Sequence, residues 1–334
     1  MKVGIKQISE LSGFSVATVS NVLNNKKGVN TNTAQRVLKV ARDLGYLASA
    51  KVDRIKLVMY QKTGKVLIET PLISALLDGV ETENRKNGFD TIICTLRESD
   101  PNFELQLSAL LNERSSGILL LATEMEPQDI RKFSSMAVPI VVVDAWFESE
   151  QYDTVLMNNT DSAIIAAEHL IANGHQRIGS LRSNITIRNF HYRRMGLEQA
   201  MARHKLKLEE RFCVDLDPTI NGAYEDMKAY LAKSPALPTA YYADNDIIAI
   251  GAMKALIEYG YRIPEDVSIV GFDNMPFSEM MSPRLTTLDV PKRELGILAA
   301  RRLMEQIKSD SAVPARTEVL TRLIVRDSVR RIEA

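Results

Sequence analysis

Cysteine is nearly missing from this 334-residue chain: only Cys94 and Cys213 occur, far apart in sequence. Their scarcity argues against a disulfide framework or a thiolate zinc site and fits a reducing compartment. Both are expected to be small core residues. Long apolar runs are missing too. No stretch approaches the ~18 apolar residues that span a bilayer, and the opening MKVGIKQISE alternates polar and apolar residues where a leader would have an apolar core. A membrane protein is therefore not expected, and a cytoplasmic location is. There is no Gly-rich dinucleotide or phosphate loop, no His-x-x-x-His or Cys-x-x-Cys spacing, and the four histidines (His169, His175, His191, His204) carry no triad signature. Neither an enzyme nor a bound cofactor or metal is expected.

What is present is the composition of a soluble globular protein, 45% hydrophobic and 25% charged. The length allows about two or three domains with large cores. Zero net charge conceals an asymmetry. Residues 1–50 carry seven Lys/Arg (Lys2, Lys6, Lys26, Lys27, Arg36, Lys39, Arg42) against Glu10 and Asp43, so the rest of the chain is net acidic by the same five charges. A small basic head on an acidic body points to a polyanion that meets the head alone.

That head has the periodicity of three short helices. Ile5, Ile8 and Leu11 repeat at helical spacing up to Ser12-Gly13, where Gly permits a sharp turn. Ser15 stands at an N-cap position before a second helix whose stripe is Val19, Val22 and Leu23. Asn30 caps a third, with Ala34, Val37, Leu38, Ala41 and Leu44 on one face and Gly45 as its stop. Three such helices with a tight first turn make a helix-turn-helix unit.

The run ISELSGFSVATVSNVLNNKKGVN (Ile8–Asn30), closed by Leu44-Gly45-Tyr46, resembles the DNA-binding headpiece of the lactose/galactose repressor (LacI/GalR) family of bacterial transcription regulators. The resemblance implies that the second helix lies in the major groove of double-stranded, pseudo-palindromic operator DNA. Val16, Ala17 and Asn21 then fall at base-reading positions. The two apolar side chains suit a thymine methyl, and the Asn21 amide suits adenine N6 and N7. Ser15, Thr18, Ser20, Asn24 and Asn30 carry short polar groups suited to phosphates, with Ser15 and Asn30 capping as well. Gly4 stands where the family has Ser or Thr.

The linker departs from the family. No Pro-Asn pair follows Tyr46, and Leu47–Arg54 leads straight into a strand, shorter than the family pattern by roughly two helical turns. The hinge helix that wedges a Leu into the minor groove is thus expected to be absent, with Leu47 the one candidate wedge, and little central kinking of the operator follows.

Beyond Ile55, apolar runs typical of strands buried on both faces recur at Ile55–Tyr60, Thr91–Thr95, Ile118–Ala122 and Ile140–Val143. Helical stretches separate them: Leu72–Lys86, Phe103–Asn112 and Pro127–Met136. A second series follows at Arg177–Leu181, Phe212–Asp215, Ala240–Tyr242 and Val267–Val270. Such alternation predicts α/β architecture, with parallel sheets, helices on both faces, and two similar lobes that bind ligands outside the carboxyl ends of the strands.

The runs GILLLA, PIVVVD, NNTDSAIIAAEHLIANGHQRIGSL, FHYRRMGLEQAM, DNDIIAIGAMKAL, IPEDVSIVGFDN, SPRLTTLDVP and LIVRDS are similar, in this order, to the family's effector domain, a periplasmic-binding-protein-like fold. Between Tyr60 and Gly117 the fit is looser, and the loop Gln61–Glu69 is unusual. The expected organisation is a headpiece over 1–46, a linker over 47–54, and an effector-binding and dimerisation domain over 55–334. Its first lobe takes about 55–158 and 289–317, its second about 159–288 and 318–334. The resemblance places Asp144, Arg193, Asn245 and Asp273 at effector-contacting positions in an interlobe cleft. Carboxylates, a guanidinium and an amide suit a polyhydroxyl ligand. Trp146, Phe190 and Tyr242 are candidates for its apolar wall. For Asn245 and Asp273 a turn or helix cap is the competing role. His191 replaces a family Arg, which leaves one fewer fixed cation for an anionic ligand.

The function implied is a DNA-binding repressor of a carbohydrate-utilisation operon, a homodimer controlled allosterically by a small sugar-like effector. Its dimer surfaces are expected on Leu72–Lys86 and Leu295–Ile307. The alternative is a sugar-binding receptor or enzyme-like protein whose N-terminal helices mediate oligomerisation. The basic head and Asn21 speak against it.

Overall fold

Hydrophobic spacing and caps account for most element boundaries. A computed structural model of the chain describes residues 4–23, 29–44, 52–67, 69–136, 138–148, 150–309 and 313–333, with the backbone alone at 31, 35, 42 and 43. Residues 45–51, which include Gly45, Leu47 and most of the linker expected over 47–54, lie outside the described residues, as does Asn24.

Three helices form the head: α1 (Ile5–Ser12), α2 (Val16–Leu23) and α3 (Thr31–Asp43). Gly13 ends α1 in the left-handed region at φ 75°, its N–H donating to the Ser9 carbonyl at 3.1 Å. Ile8, Val19, Val22, Leu23, Val37, Leu38 and Ala41 are buried together as one core. Each large aliphatic among them contributes roughly 1.5–3 kcal/mol by leaving water. Leu11, expected on the apolar stripe of α1, is 60% exposed instead. Ile8 is the buried apolar residue of α1, with Ile5 packed partly against the same core, so the helix turns Leu11 away from it.

The chain divides into two units. The first comprises 1–63, 76–156 and 293–317; the second comprises 64–75, 157–292 and 318–334. In chain order the elements are β1 (Arg54–Gln61), α4 (Leu72–Lys86), β2 (Asp90–Arg97), α5 (Phe103–Leu111), β3 (Ser116–Leu121), α6 (Pro127–Arg131), β4 (Ile140–Val143) and β5 (Asp153–Met157). There follow α7 (Asn159–Ala172), β6 (Ile178–Ser183), α8 (Arg188–Arg203), β7 (Cys213–Leu216), α9 (Ile220–Leu231), β8 (Ala240–Ala243), α10 (Asp246–Glu258), β9 (Ser268–Asp273) and α11 (Pro276–Met280). Last come β10 (Thr286–Asp289), α12 (Lys292–Lys308), β11 (Arg316–Val319) and β12 (Arg322–Ile324).

In the first unit the sheet order is β11-β5-β4-β3-β1-β2. β1 runs parallel to both neighbours, Ile55 facing Thr91 on β2 and Gly117 on β3. Every residue of β3 is buried, as its unbroken apolar run requires of a central strand. Helices α4 and α12 pack on each other so closely that Gly79 abuts the Arg293 carbonyl and Gly296 the Leu76 carbonyl, leaving no space for a Cβ. The two helices expected to carry dimer contacts thus cover part of each other's surface within one chain. The helix expected over 127–136 stops at Arg131. Tighter i→i−3 bonds, Phe133 to Ile130 and Met136 to Phe133, then turn Phe133 and Met136 into the core. Strand β5 escaped the sequence reading because it opens on Asp153, a residue disfavoured in strands. Asp153 is tolerated there because Arg302 Nε (2.6 Å) and the Ala315 N–H (2.8 Å) both donate to it.

The second unit's sheet has the order β12-β10-β9-β8-β6-β7. Its strands are parallel where paired, as expected, with one antiparallel addition at the edge, where β12 runs against β10 with Leu288 facing Leu323. Strands β6, β8 and β9 therefore bring Ser183, Asp244 and Asp273 to one carboxyl edge. Among the described residues no helix is long and apolar enough to cross a membrane, and no cluster of His, Cys, Asp and Glu has the form of a metal site.

Candidate nucleic-acid and effector sites

Ser15 starts α2 by accepting the Thr18 N–H at 3.1 Å, and its hydroxyl also meets the Thr18 hydroxyl at 2.8 Å. This cap leaves Ser15, Val16 and Ala17 exposed at the helix N-terminus, with Val16 46% exposed, while Val19, Val22 and Leu23 turn inward. An exposed valine has no packing reason to be there, whereas a thymine methyl gives it one. Thr18, Ser20 and Asn21 are half-buried. Asn30 accepts the Asn32 N–H at 2.9 Å, as a cap of α3 does.

Asn21 sits differently from Val16 and Ala17. It lines a cavity of about 250 Å³ with Val29, Arg114, Lys132 and Ser134. Arg114 Nη2 donates to the Leu23 carbonyl at 2.8 Å, placing a cation at the negative end of α2. Arg114 itself was not legible as a partner of the head, since nothing in its local sequence marks it.

Of the expected effector contacts, Asp144 and Trp146 belong to the first unit. Asp144 follows β4, is 1% exposed, and adopts φ 64°, a left-handed conformation that Asp tolerates better than bulky residues. Its Oδ2 accepts from the Thr123 hydroxyl at 2.6 Å. Trp146 is half-buried, with the Arg316 guanidinium 4.3 Å from its ring centroid.

Phe190, Arg193, Asn245 and Asp273 belong to the second unit. Arg193 lies in the second turn of α8 and is 3% exposed. Its Nε donates to Asn159 Oδ1 (2.9 Å), its Nη1 to the Asp244 carbonyl (2.5 Å), and its Nη2 lies 3.7 Å from Asp273 Oδ1. The guanidinium stacks 3.5 Å from the Phe272 ring centroid and 5.5 Å from that of Phe190. A buried guanidinium needs such company, because an unpaired charge there costs several kcal/mol. Asp273 holds φ 108° at the end of β9.

Asn245 takes the competing role weighed for it. It caps α10, its side-chain oxygen accepting the Ile248 N–H at 3.0 Å. Phe190 is buried against Val66, Ile185 and Ile187. Val66 comes from the unusual loop after β1. Lys65 pairs with Asp217 at 2.8 Å, and Glu69 accepts the N–H of Ile220, first residue of α9, at 2.7 Å. The loop therefore packs with the second unit although it follows a strand of the first.

Several polar residues around Arg193 were missed. Asn159 orients it through Oδ1 and in turn donates from its amide nitrogen to Asn189 Oδ1 at 3.2 Å. Asp244 and Asp246 flank Asn245, and both are fully buried. Asp246 accepts from the Ser278 hydroxyl (2.5 Å), the Thr287 hydroxyl (2.6 Å) and the Met275 N–H (2.8 Å); burial nonetheless pushes its carboxyl up to about 7. The run Asp244-Asn245-Asp246 was the available signal: three polar residues between an apolar strand and an apolar helix are seldom all solvated.

Residues 4–49 match the family described as bacterial regulatory proteins, lacI family, and residues 167–329 match a periplasmic binding protein-like domain. The chain is 31% identical over 332 residues to the HTH-type transcriptional repressor PurR of Mannheimia succiniciproducens, covering 98% of this chain and 99% of that protein. It is 30% identical over 308 residues to the ribose operon repressor of Haemophilus influenzae, covering 91% and 92%. Among solved structures, a LacI family transcriptional regulator from Enterococcus faecium with bound ribose superposes with a TM-score of 0.70 at 26% identity, covering 83% of this chain and 100% of that one.

Proposed function

Since this chain belongs to the LacI family of bacterial regulatory proteins and is a DNA-binding transcription regulator rather than an enzyme, we propose that it represses a carbohydrate-utilisation operon as a cytoplasmic homodimer and answers to a small neutral effector of the sugar class. The exposed Ser15-Val16-Ala17 edge of α2 carries the first half of this reading. Backed by a buried core and held by the Ser15 cap, it presents side chains to a groove without unfolding anything. Two heads on a two-fold axis would read two half-sites about one DNA turn apart.

The effector half rests on the second unit. Arg193, Asp273 and Asn159 gather at the carboxyl edge of a mostly parallel sheet, where ligands of α/β folds bind. The Arg193 charge is already balanced by Asp273, which favours a neutral ligand over an anion. Effector and operator affinities are then linked reciprocally, typically by about 1–3 kcal/mol.

A gel shift with the DNA flanking the protein's own gene, with and without D-ribose, tests both halves. Specific duplex should be held well above random duplex at moderate salt, and D-ribose or another neutral sugar should change that affinity. Equal retention of both duplexes, whatever is added, overturns the proposal.

A further inference from the structure

Two polar atoms at the carboxyl edge of the second sheet are buried and have no hydrogen-bond partner among the described residues: Asp244 Oδ1 and Tyr242 Oη. Both residues are fully buried. They alternate along and just beyond β8, so their side chains share a face of the sheet. The other half of the Asp244 carboxylate is occupied, Oδ2 accepting the N–H of Ser183 at the end of β6 (2.8 Å). Its carbonyl accepts from Arg193, the residue that also approaches Asp273. A lone buried carboxylate oxygen is costly unless something donates to it. Nothing in the structural duty of Asp244, which is to cap the last amide of β6, requires a second acceptor. A serine or asparagine would serve that duty without the charge.

We infer that Asp244, assisted by the Tyr242 hydroxyl, is a specificity-determining acceptor for a hydroxyl or ring N–H of the effector, and that the site rejects anionic ligands. The inference rests on the proposed effector site and deepens it. The free oxygen of an ionised Asp244 would repel a phosphorylated sugar where it accepts from the neutral parent, a repulsion that Arg194, Arg193 and Arg182, acting on the same carboxylate, temper without occupying that oxygen. Burial pushes the Asp244 carboxyl up to about 6, leaving it mostly ionised at neutral pH.

The test is titration calorimetry on the full chain with neutral saccharides led by D-ribose, its deoxy analogues, ribose 5-phosphate, and purine bases as ring N–H donors. Wild type should bind a neutral member of the panel and bind ribose 5-phosphate at least tenfold more weakly than D-ribose. Asp244→Asn keeps an oxygen for Ser183 but turns an N–H toward the free position. It should lose at least tenfold in affinity for that ligand, and its discrimination against the analogue lacking the donor should collapse. A purely structural role would weaken the ligand and its analogue equally. Tyr242→Phe, which removes only a hydroxyl, should weaken binding about threefold and serves if Asp244→Asn does not fold. Wild-type affinity in both variants, or strong binding of the phosphate ester, overturns the inference alone. A wild type that binds nothing in the panel overturns the effector reading and this inference with it.

Discussion

In the head, Val16 and Ala17 stand in solvent above a core of aliphatic side chains, on a helix that Ser15 caps. In the second unit, Arg193, Asp244 and Asn245 are all 3% exposed or less and bonded to backbone or to one another. Val16 and Ala17 are available for binding because folding leaves their side chains idle. Arg193, Asp244 and Asn245 are held in place because folding uses them. A substitution in the head should therefore separate affinity from stability, whereas one around Arg193 should affect both.

Arg193→Ala is the strongest test of that contrast. It strands Asn159 and Asp273 in a buried site, and should lower unfolding free energy by about 3 kcal/mol as well as abolish effector-dependent stabilisation. Chemical denaturation with and without ligand reads both. A variant as stable as wild type would mean that the site is less preorganised than its bonds imply.

Glu113 asks whether the first unit also has a polar anchor independent of any ligand. Burial alone would raise its carboxyl, but the Lys56 ammonium and the N–H groups of Ser115 and Arg114 outweigh it and hold the group down to about 2. Because the folded value lies below the unfolded one, the stabilisation is complete above about pH 4.5 and disappears as pH falls toward 2. Glu113→Gln should cost about 2 kcal/mol at pH 7, a cost that shrinks as pH falls through about 2 and vanishes below it. A cost that does not change with pH would show that packing, not charge, is at stake.

Asn21→Ala makes the opposite case in the head. Operator affinity should fall at least tenfold, about 1.4 kcal/mol, while the melting temperature stays put. An unchanged affinity would mean that Asn21 remains turned toward the cavity beside Arg114 when DNA is bound. Ser15→Ala sits between the two regimes. It removes the α2 cap and should cost about 1 kcal/mol of head stability, with a matching loss of DNA binding visible by circular dichroism and gel shift.

The elements whose residues face one environment throughout were legible from sequence. Strand β3 is buried on both faces and reads as an apolar run; α2 is half buried and reads as a stripe behind a serine cap. Strand β5 and the turns after α6 were not, because Asp153 is stabilised by Arg302, about 150 positions away, and Phe133 is drawn inward by a core formed elsewhere. The residues expected at an effector site were legible as strand-end and helix positions, but not the bonds they make there. Asn245 became a helix cap, and the unusual loop carrying Val66 and Glu69 joined a unit other than the one its neighbouring strand belongs to.

Local chemistry by itself determined that this chain has a capped, basic helix-turn-helix head followed by alternating strands and helices. Caps, turns and periodicity act over a few residues and need no distant partner to be recognised. Only the tertiary structure decided which polar side chains are consumed by the fold and which are left open. That outcome depends on where distant strand ends meet, as at Ser183, Asp244 and Asp273, and on whether each buried acceptor there finds a donor.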